Sequence, residues 1–273
     1  MSDVARDLQI RLSEREAVLQ RIVKQLAGDE RVVAAWLHGS LGRNDGDALS
    51  DIDVRIVVAD RFSETMNAER QEYASRIGPL LLMQEAPHNA PAGGAFLLVM
   101  YPGSVGPIHV DWIWQPQSPA VIPTNVRVLF DRVGLPAEPA VARPVGQDLA
   151  DSLTERSVFF WMMVQVAAKK IARQQSWAAI VVLNYAQDAI QQVKWLLNLA
   201  DGPAWRENRR ADAVPAQPAE QMDLVRAMAS EMEALTARIA GLGGQPPAEV
   251  IPLAHRFFDL IDAMLDPTQA GSE

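Results

Sequence analysis

The stretch from 36 to 55 holds the residues best suited to chemistry: Trp-Leu-His-Gly-Ser-Leu-Gly-Arg-Asn-Asp-Gly-Asp-Ala-Leu-Ser-Asp-Ile-Asp-Val-Arg. Side chains alternate along a strand, so Asp51 and Asp53 share one face while Ile52 and Val54 share the other. Two carboxylates this close repel each other. A divalent cation relieves that repulsion, and hard oxygen ligands suit magnesium. A third carboxylate, Asp111, stands mid-strand in Pro-Ile-His-Val-Asp-Trp-Ile-Trp (107–114). There it is costly to bury unless paired or cation-bound.

The elements that must carry these groups follow from patterning. Val32 to Leu37 is an apolar run that reads as a strand, ended by a tight turn at Gly39 and Ser40. A polar, Gly-containing segment leads to a second strand from Asp51 through Ala59. Residues 95–101 and 107–114, joined by Pro102–Gly106, predict a β-hairpin. In its second arm Ile108, Val110, Trp112 and Trp114 share one face; His109, Asp111 and Ile113 share the other. Leu80 to Met83 and Val126 to Phe130 are shorter strand candidates. Residues 3–27 predict an amphipathic helix stopped by Gly28. Residues 63–77 predict another, with Ser63 as a candidate N-cap.

Gly-Ser at a strand end, about ten residues, and Asp-x-Asp opening the next strand resembles the nucleotidyltransferase superfamily that includes DNA polymerase beta. The version here, Gly39-Ser40-x-x-Arg43 leading to Ser50-Asp51-Ile52-Asp53, is most similar to the aminoglycoside and lincosamide nucleotidyltransferases and the minimal nucleotidyltransferases. The resemblance extends to about residue 135. It implies an α+β fold: a mixed sheet flanked by helices, then a helical bundle. It also implies transfer of a nucleoside monophosphate from a nucleoside triphosphate, ATP by expectation, to a hydroxyl. Asp51 and Asp53 would bridge two magnesium ions, and Asp111 would complete one of them or act as general base. Gly39, Ser40 and Arg43 would meet the triphosphate. Lys169 and Lys170, on a helix of the second domain, are further phosphate candidates, although an exposed helix face is the favoured reading of both.

Composition bounds the rest. The chain has 273 residues, 49% of them hydrophobic, enough for two domains with real cores. We read 1–135 as the nucleotidyltransferase domain, 136–147 as a Pro- and Ala-rich linker and 148–273 as the helical bundle. In the bundle, 148–175, 177–200, 220–240 and 248–265 are helices, 203–219 is a loop and the residues after Pro267 are a frayed tail. The net charge of −9 disfavours generic nucleic-acid binding. The absence of cysteine removes disulfides, thiolate metal sites and cysteine nucleophiles. Neither a signal peptide nor a membrane span is evident, so a cytoplasmic protein is expected.

His38, His88, His109 and His255 lack metal-ligand spacing, and no P-loop is present. Trp112, Trp114, Trp161, Trp177 and Trp195 could stack on a base or a ring-containing acceptor, but aromatic residues at these spacings are more often core. The acceptor expected is a hydroxylated, cationic, aminoglycoside-like small molecule; the alternatives are nucleotidylylation of a protein partner of the antitoxin kind, or a non-catalytic nucleotide-binding module of the same fold. Oligomeric state is open.

Overall fold

In the computed structural model, which describes residues 2–200 and 215–266, the chain divides into two compact units, Met1–Pro139 and Ala140–Glu273. Most of the loop expected at 203–219, and the tail after Pro267, lie outside the described residues. No helix among the described residues is long and apolar enough to cross a membrane.

The first unit is built on a six-stranded mixed sheet. In chain order its strands are β1 (Val32–His38), β2 (Ile52–Val58), β3 (Leu82–Glu85), β4 (Ala95–Tyr101), β5 (Ile108–Pro116) and β6 (Arg127–Asp131). Their spatial order is β3-β4-β5-β2-β1-β6. All neighbours are antiparallel except β2 and β5, which run parallel at the centre of the sheet. β4 and β5 form the expected hairpin.

Alternation then assigns the faces. Ile52, Val54 and Ile56 of β2, with Val110, Trp112 and Trp114 of β5, are fully buried on one face. Two helices cover it. α1 (Asp3–Gly28) begins where the Ser2 side chain accepts from the Ala5 amide and ends at Gly28, and it buries Val18, Leu19, Ile22 and Leu26 at helical spacing. α3 (Ser63–Ser75) contributes Met66, Tyr73 and Ala74. Burying such side chains stabilises by about 1.5–3 kcal/mol each, so this face holds the unit together. The stacked pair Trp112–Trp114 belongs to this core, not to a base-stacking surface.

Three local expectations are corrected. Ser63 is the first residue of α3 and not its N-cap; Phe62 takes that position, and the Ser63 hydroxyl is buried without a partner. The third strand is displaced to Leu82–Glu85, an edge strand antiparallel to β4. Gly39 and Ser40 do not make a simple tight turn: they open a short helix, α2 (Gly39–Arg43), closed by Asn44 in the left-handed conformation.

The second unit is a bundle of α4 (Gly146–Ala172), α5 (Ser176–Leu196), α6 (Pro218–Gly241) and α7 (Val250–Leu265). Phe160, Trp161, Val164 and Ile171 of α4 meet Leu183, Ile190 and Val193 of α5, Met228 and Met232 of α6 and Phe258 of α7 in one apolar core. Trp161 is therefore structural, Trp195 packs against this core, and Trp177 is 86% exposed at the start of α5. Asp188 of α5 is buried.

Candidate active site

The face of the sheet opposite α1 and α3 carries the polar groups. Asp53 and Asp111 are paired in register on the parallel strands β2 and β5, and His38 of β1 is opposite Asp53 on its other side. Same-face alternation adds Arg55 and Gln115, whose side chains meet: the Arg55 guanidinium donates to Gln115 Oε1 at 3.0 Å. A sheet thus brings together carboxylates nearly sixty residues apart in sequence. The apolar run around each explains why: strand formation is driven by the buried partners Ile52, Val54, Val110 and Trp112, and the aspartates are delivered to the other face by the pleat.

Asp51 stands one residue ahead of β2 and is exposed. It joins the cluster through His109, whose Nδ1 is 3.2 Å from Asp51 Oδ2 and whose Nε2 is 2.8 Å from Asp111 Oδ1. Neither contact has hydrogen-bond geometry, and Asp111 Oδ1 is buried against the imidazole without a hydrogen bond. Sequence reasoning placed His109 on the right face but gave it no role. Its spacing of two from Asp111 was the available signal. With both ring nitrogens turned to carboxylates, it is not disposed as a base for Ser40.

The electrostatics reflect crowding. The Asp53 carboxyl is pushed up to about 6, first by burial, then by the charges of Asp111 and Asp51, with His109 and Arg43 partly offsetting. Asp111 is also raised, chiefly by burial; the nearby His109 opposes this and Asp51 reinforces it. His38 is depressed to about 4 by burial and by the Arg55 charge, and its Nε2 has no partner.

Gly39 explains its own identity. Its φ is +62°, and a Cβ there would fall 2.2 Å from Asp53 Oδ2. The Gly-Ser backbone therefore lies directly against one motif carboxylate. Ser40 is half-buried, and its carbonyl accepts from the Asp45 amide at 3.1 Å. Arg43 pairs with Asp45 at 3.2 Å. Lys169 and Lys170 are in the last turn of α4, in the second unit, with Lys169 exposed; they belong to a different unit from the carboxylates.

Among the described residues no three His, Asp or Glu side chains are gathered closely enough to hold a metal ion as they stand. The donor set nevertheless suits a hard cation. Its oxygens are carboxylate, one is buried without a hydrogen-bond partner, and burial together with the mutual repulsion of the carboxylates raises the proton affinity of Asp53.

The family model described as "Polymerase beta, Nucleotidyltransferase" matches residues 20–83. That segment runs from the second half of α1 into β3 and contains Gly39, Ser40, Asp51 and Asp53; Asp111 lies beyond it. The resemblance to the nucleotidyltransferase superfamily is thus carried by the motif-bearing part of the sheet, and it supports nucleotidyl transfer as the general chemistry. Among solved structures, an aminoglycoside 6-adenyltransferase from Bacillus subtilis is similar, with 16% identity over 91% of this chain and 97% of that one and a TM-score of 0.29. No curated protein matches.

Proposed function

We propose that the protein transfers a nucleoside monophosphate from a nucleoside triphosphate, ATP by preference, to a hydroxyl of a small, cationic acceptor. The observation that carries this reading is the pairing of Asp53 with Asp111 on β2 and β5 while the Gly39 backbone abuts the Asp53 carboxylate. Phosphate groups can approach closely only where no side chain intervenes, and Gly39 leaves that space. The Ser40 hydroxyl offers a donor beside it.

Asp51, Asp53 and Asp111 would hold divalent cations, with magnesium matching the oxygen donors. When bound, such ions neutralise triphosphate charge and polarise the α-phosphate, a role suited to in-line displacement. Asp111 accepts the acceptor proton; burial raises its proton affinity toward what a general base needs. In the step itself, the acceptor oxygen forms a bond to the α-phosphorus as the bond to the bridging oxygen breaks, and pyrophosphate departs. His109 bridges Asp51 and Asp111 through its two ring nitrogens.

The acceptor class follows from charge. The chain carries −9 overall, and the site is a cluster of carboxylates. Long-range attraction favours a polycation with hydroxyls and disfavours a polyanion. The test is incubation with α-labelled ATP, magnesium and a panel of aminoglycosides, lincosamides, a short RNA and cell-extract protein. Label on a small cationic acceptor supports the reading; label only on protein or RNA overturns the acceptor, and no label on any acceptor favours a binding module.

A further inference from the structure

Asp51 differs from its partners in how it is held. Asp53 and Asp111 are inside strands, fixed by ladder hydrogen bonds. Asp51 precedes β2, at the end of an irregular segment running from Asn44 to Ser50. That segment has some internal order: the Asp47 side chain accepts from the Leu49 amide at 2.9 Å, and the Ser50 hydroxyl accepts from the Asp47 amide at 2.9 Å. Its attachment to the rest of the unit comes from an unexpected place. Arg15, in the middle of α1, is only 5% exposed. Its Nη1 donates to the carbonyl oxygen of Asp47 and, at 3.4 Å, to that of Ser50. Among the described residues no carboxylate makes a close ion pair with Arg15, although the charges of Glu16 and Asp47 act on it from farther off, and the Arg15 Nε is buried without a hydrogen-bond partner. A guanidinium is seldom buried without a carboxylate, because desolvating it is costly. Here it is spent on two backbone carbonyls, one belonging to the residue immediately before Asp51.

We infer that Arg15 is a positioning residue for the candidate cation site: by gripping the carbonyls of Asp47 and Ser50 it fixes the segment that delivers Asp51 beside Asp53 and Asp111. This rests on the proposed nucleotidyl-transfer reading, because it assumes that the three carboxylates bind a divalent cation. Both bonds leave the one Nη1 amino group, whose hydrogens lie in the fixed guanidinium plane; a lysine has donors enough but carries them on a flexible stem without that plane. Groups that orient metal-binding residues typically change affinity by about 10–100-fold when removed.

The experiment uses the full chain and manganese as the probe ion. Binding is measured by titration calorimetry for the wild type, Arg15→Met and Arg15→Lys, and amide hydrogen exchange is followed across residues 44–51 without metal. Arg15→Met keeps the apolar bulk of the stem and deletes the donors. The expected result is manganese binding at least about tenfold weaker in Arg15→Met, a smaller loss in Arg15→Lys, and faster exchange at Asp47, Leu49 and Ser50. Millimolar guanidinium should restore part of the manganese affinity to Arg15→Ala together with the slow exchange at Asp47, Leu49 and Ser50. If Arg15→Met fails to fold, Arg15→Lys and the rescue of Arg15→Ala decide the matter. Wild-type binding with unchanged affinity in the variants overturns the inference and leaves the functional reading standing. No manganese binding by the wild type overturns both.

Discussion

Replacing Asp53 by asparagine should stabilise the protein in the absence of metal. An ordinary Asp ionises near 3.8, whereas Asp53 is held near 6 by burial and by the charges of Asp111 and Asp51. A carboxyl whose folded pKa is raised binds its proton more tightly folded than unfolded. Its ionised form therefore penalises the fold above about pH 6, and the penalty fades as pH falls from 6 towards 3.8. Two pKa units correspond to about 3 kcal/mol, an upper bound because the side chain keeps some solvent contact. The asparagine side chain is neutral at every pH and escapes the penalty. At about 2–4 °C per kcal/mol for a chain of this size, Asp53→Asn should melt up to about 10 °C above the wild type at pH 8 in chelator. Near pH 4 the two should converge. Added magnesium should raise the wild type and leave the variant nearly unmoved, since only the wild type keeps the full donor set. Differential scanning fluorimetry across pH with chelator or magnesium reads all three. A variant that melts below the wild type at pH 8 in chelator would refute the reasoning, making Asp53 a structural residue and not a crowded one.

Three further outcomes are expected. Gly39→Ala forces an alanine into the left-handed region, costing roughly 1–2 kcal/mol, and drives its methyl into the Asp53 carboxylate; transfer activity should fall more than tenfold with only a modest loss in melting temperature, and unchanged turnover would count against the close approach of phosphate at Gly39. Asp111→Asn should lower the turnover rate by about a hundredfold or more while the fold, read by circular dichroism, is retained; loss of the fold instead would make Asp111 structural. His109 lowers the proton affinity of both Asp53 and Asp111, so in His109→Ala both carboxyls should rise further, and the gain in metal-free stability on acidification should begin at higher pH than in the wild type, which a melt series from pH 4 to 8 checks.

How much of this was legible in the sequence depended on the range of the interaction. The strands carrying Ile52–Val54 and Ile108–Trp114, the hairpin of β4 and β5 and the helices of the bundle follow from local alternation and helical spacing, because burial of one face is written into each segment. The strand order is not. The parallel pairing of β2 with β5 joins segments more than fifty residues apart, and no periodicity within either specifies the partner. Asp53 and Asp111 were each visible as carboxylates on an apolar strand; that they stand side by side is a property of that pairing. Arg15 reads in sequence as one more charge on an amphipathic helix, since its partners, the backbone carbonyls of Asp47 and Ser50, leave no trace in side-chain pattern. Trp112, Trp114 and Trp161 illustrate the converse: aromatic residues attractive for stacking were claimed by the core, where their burial stabilises most.

The central claim is that the site transfers the nucleotidyl group and not the terminal phosphate. Parallel incubations with ATP labelled at the α- or the γ-phosphate, magnesium and an aminoglycoside acceptor test it most directly. The account predicts α-label on the acceptor, γ-label in pyrophosphate, and neither event in Asp53→Asn. Transfer of the γ-label to the acceptor, or α-label transfer undiminished in Asp53→Asn, would contradict it.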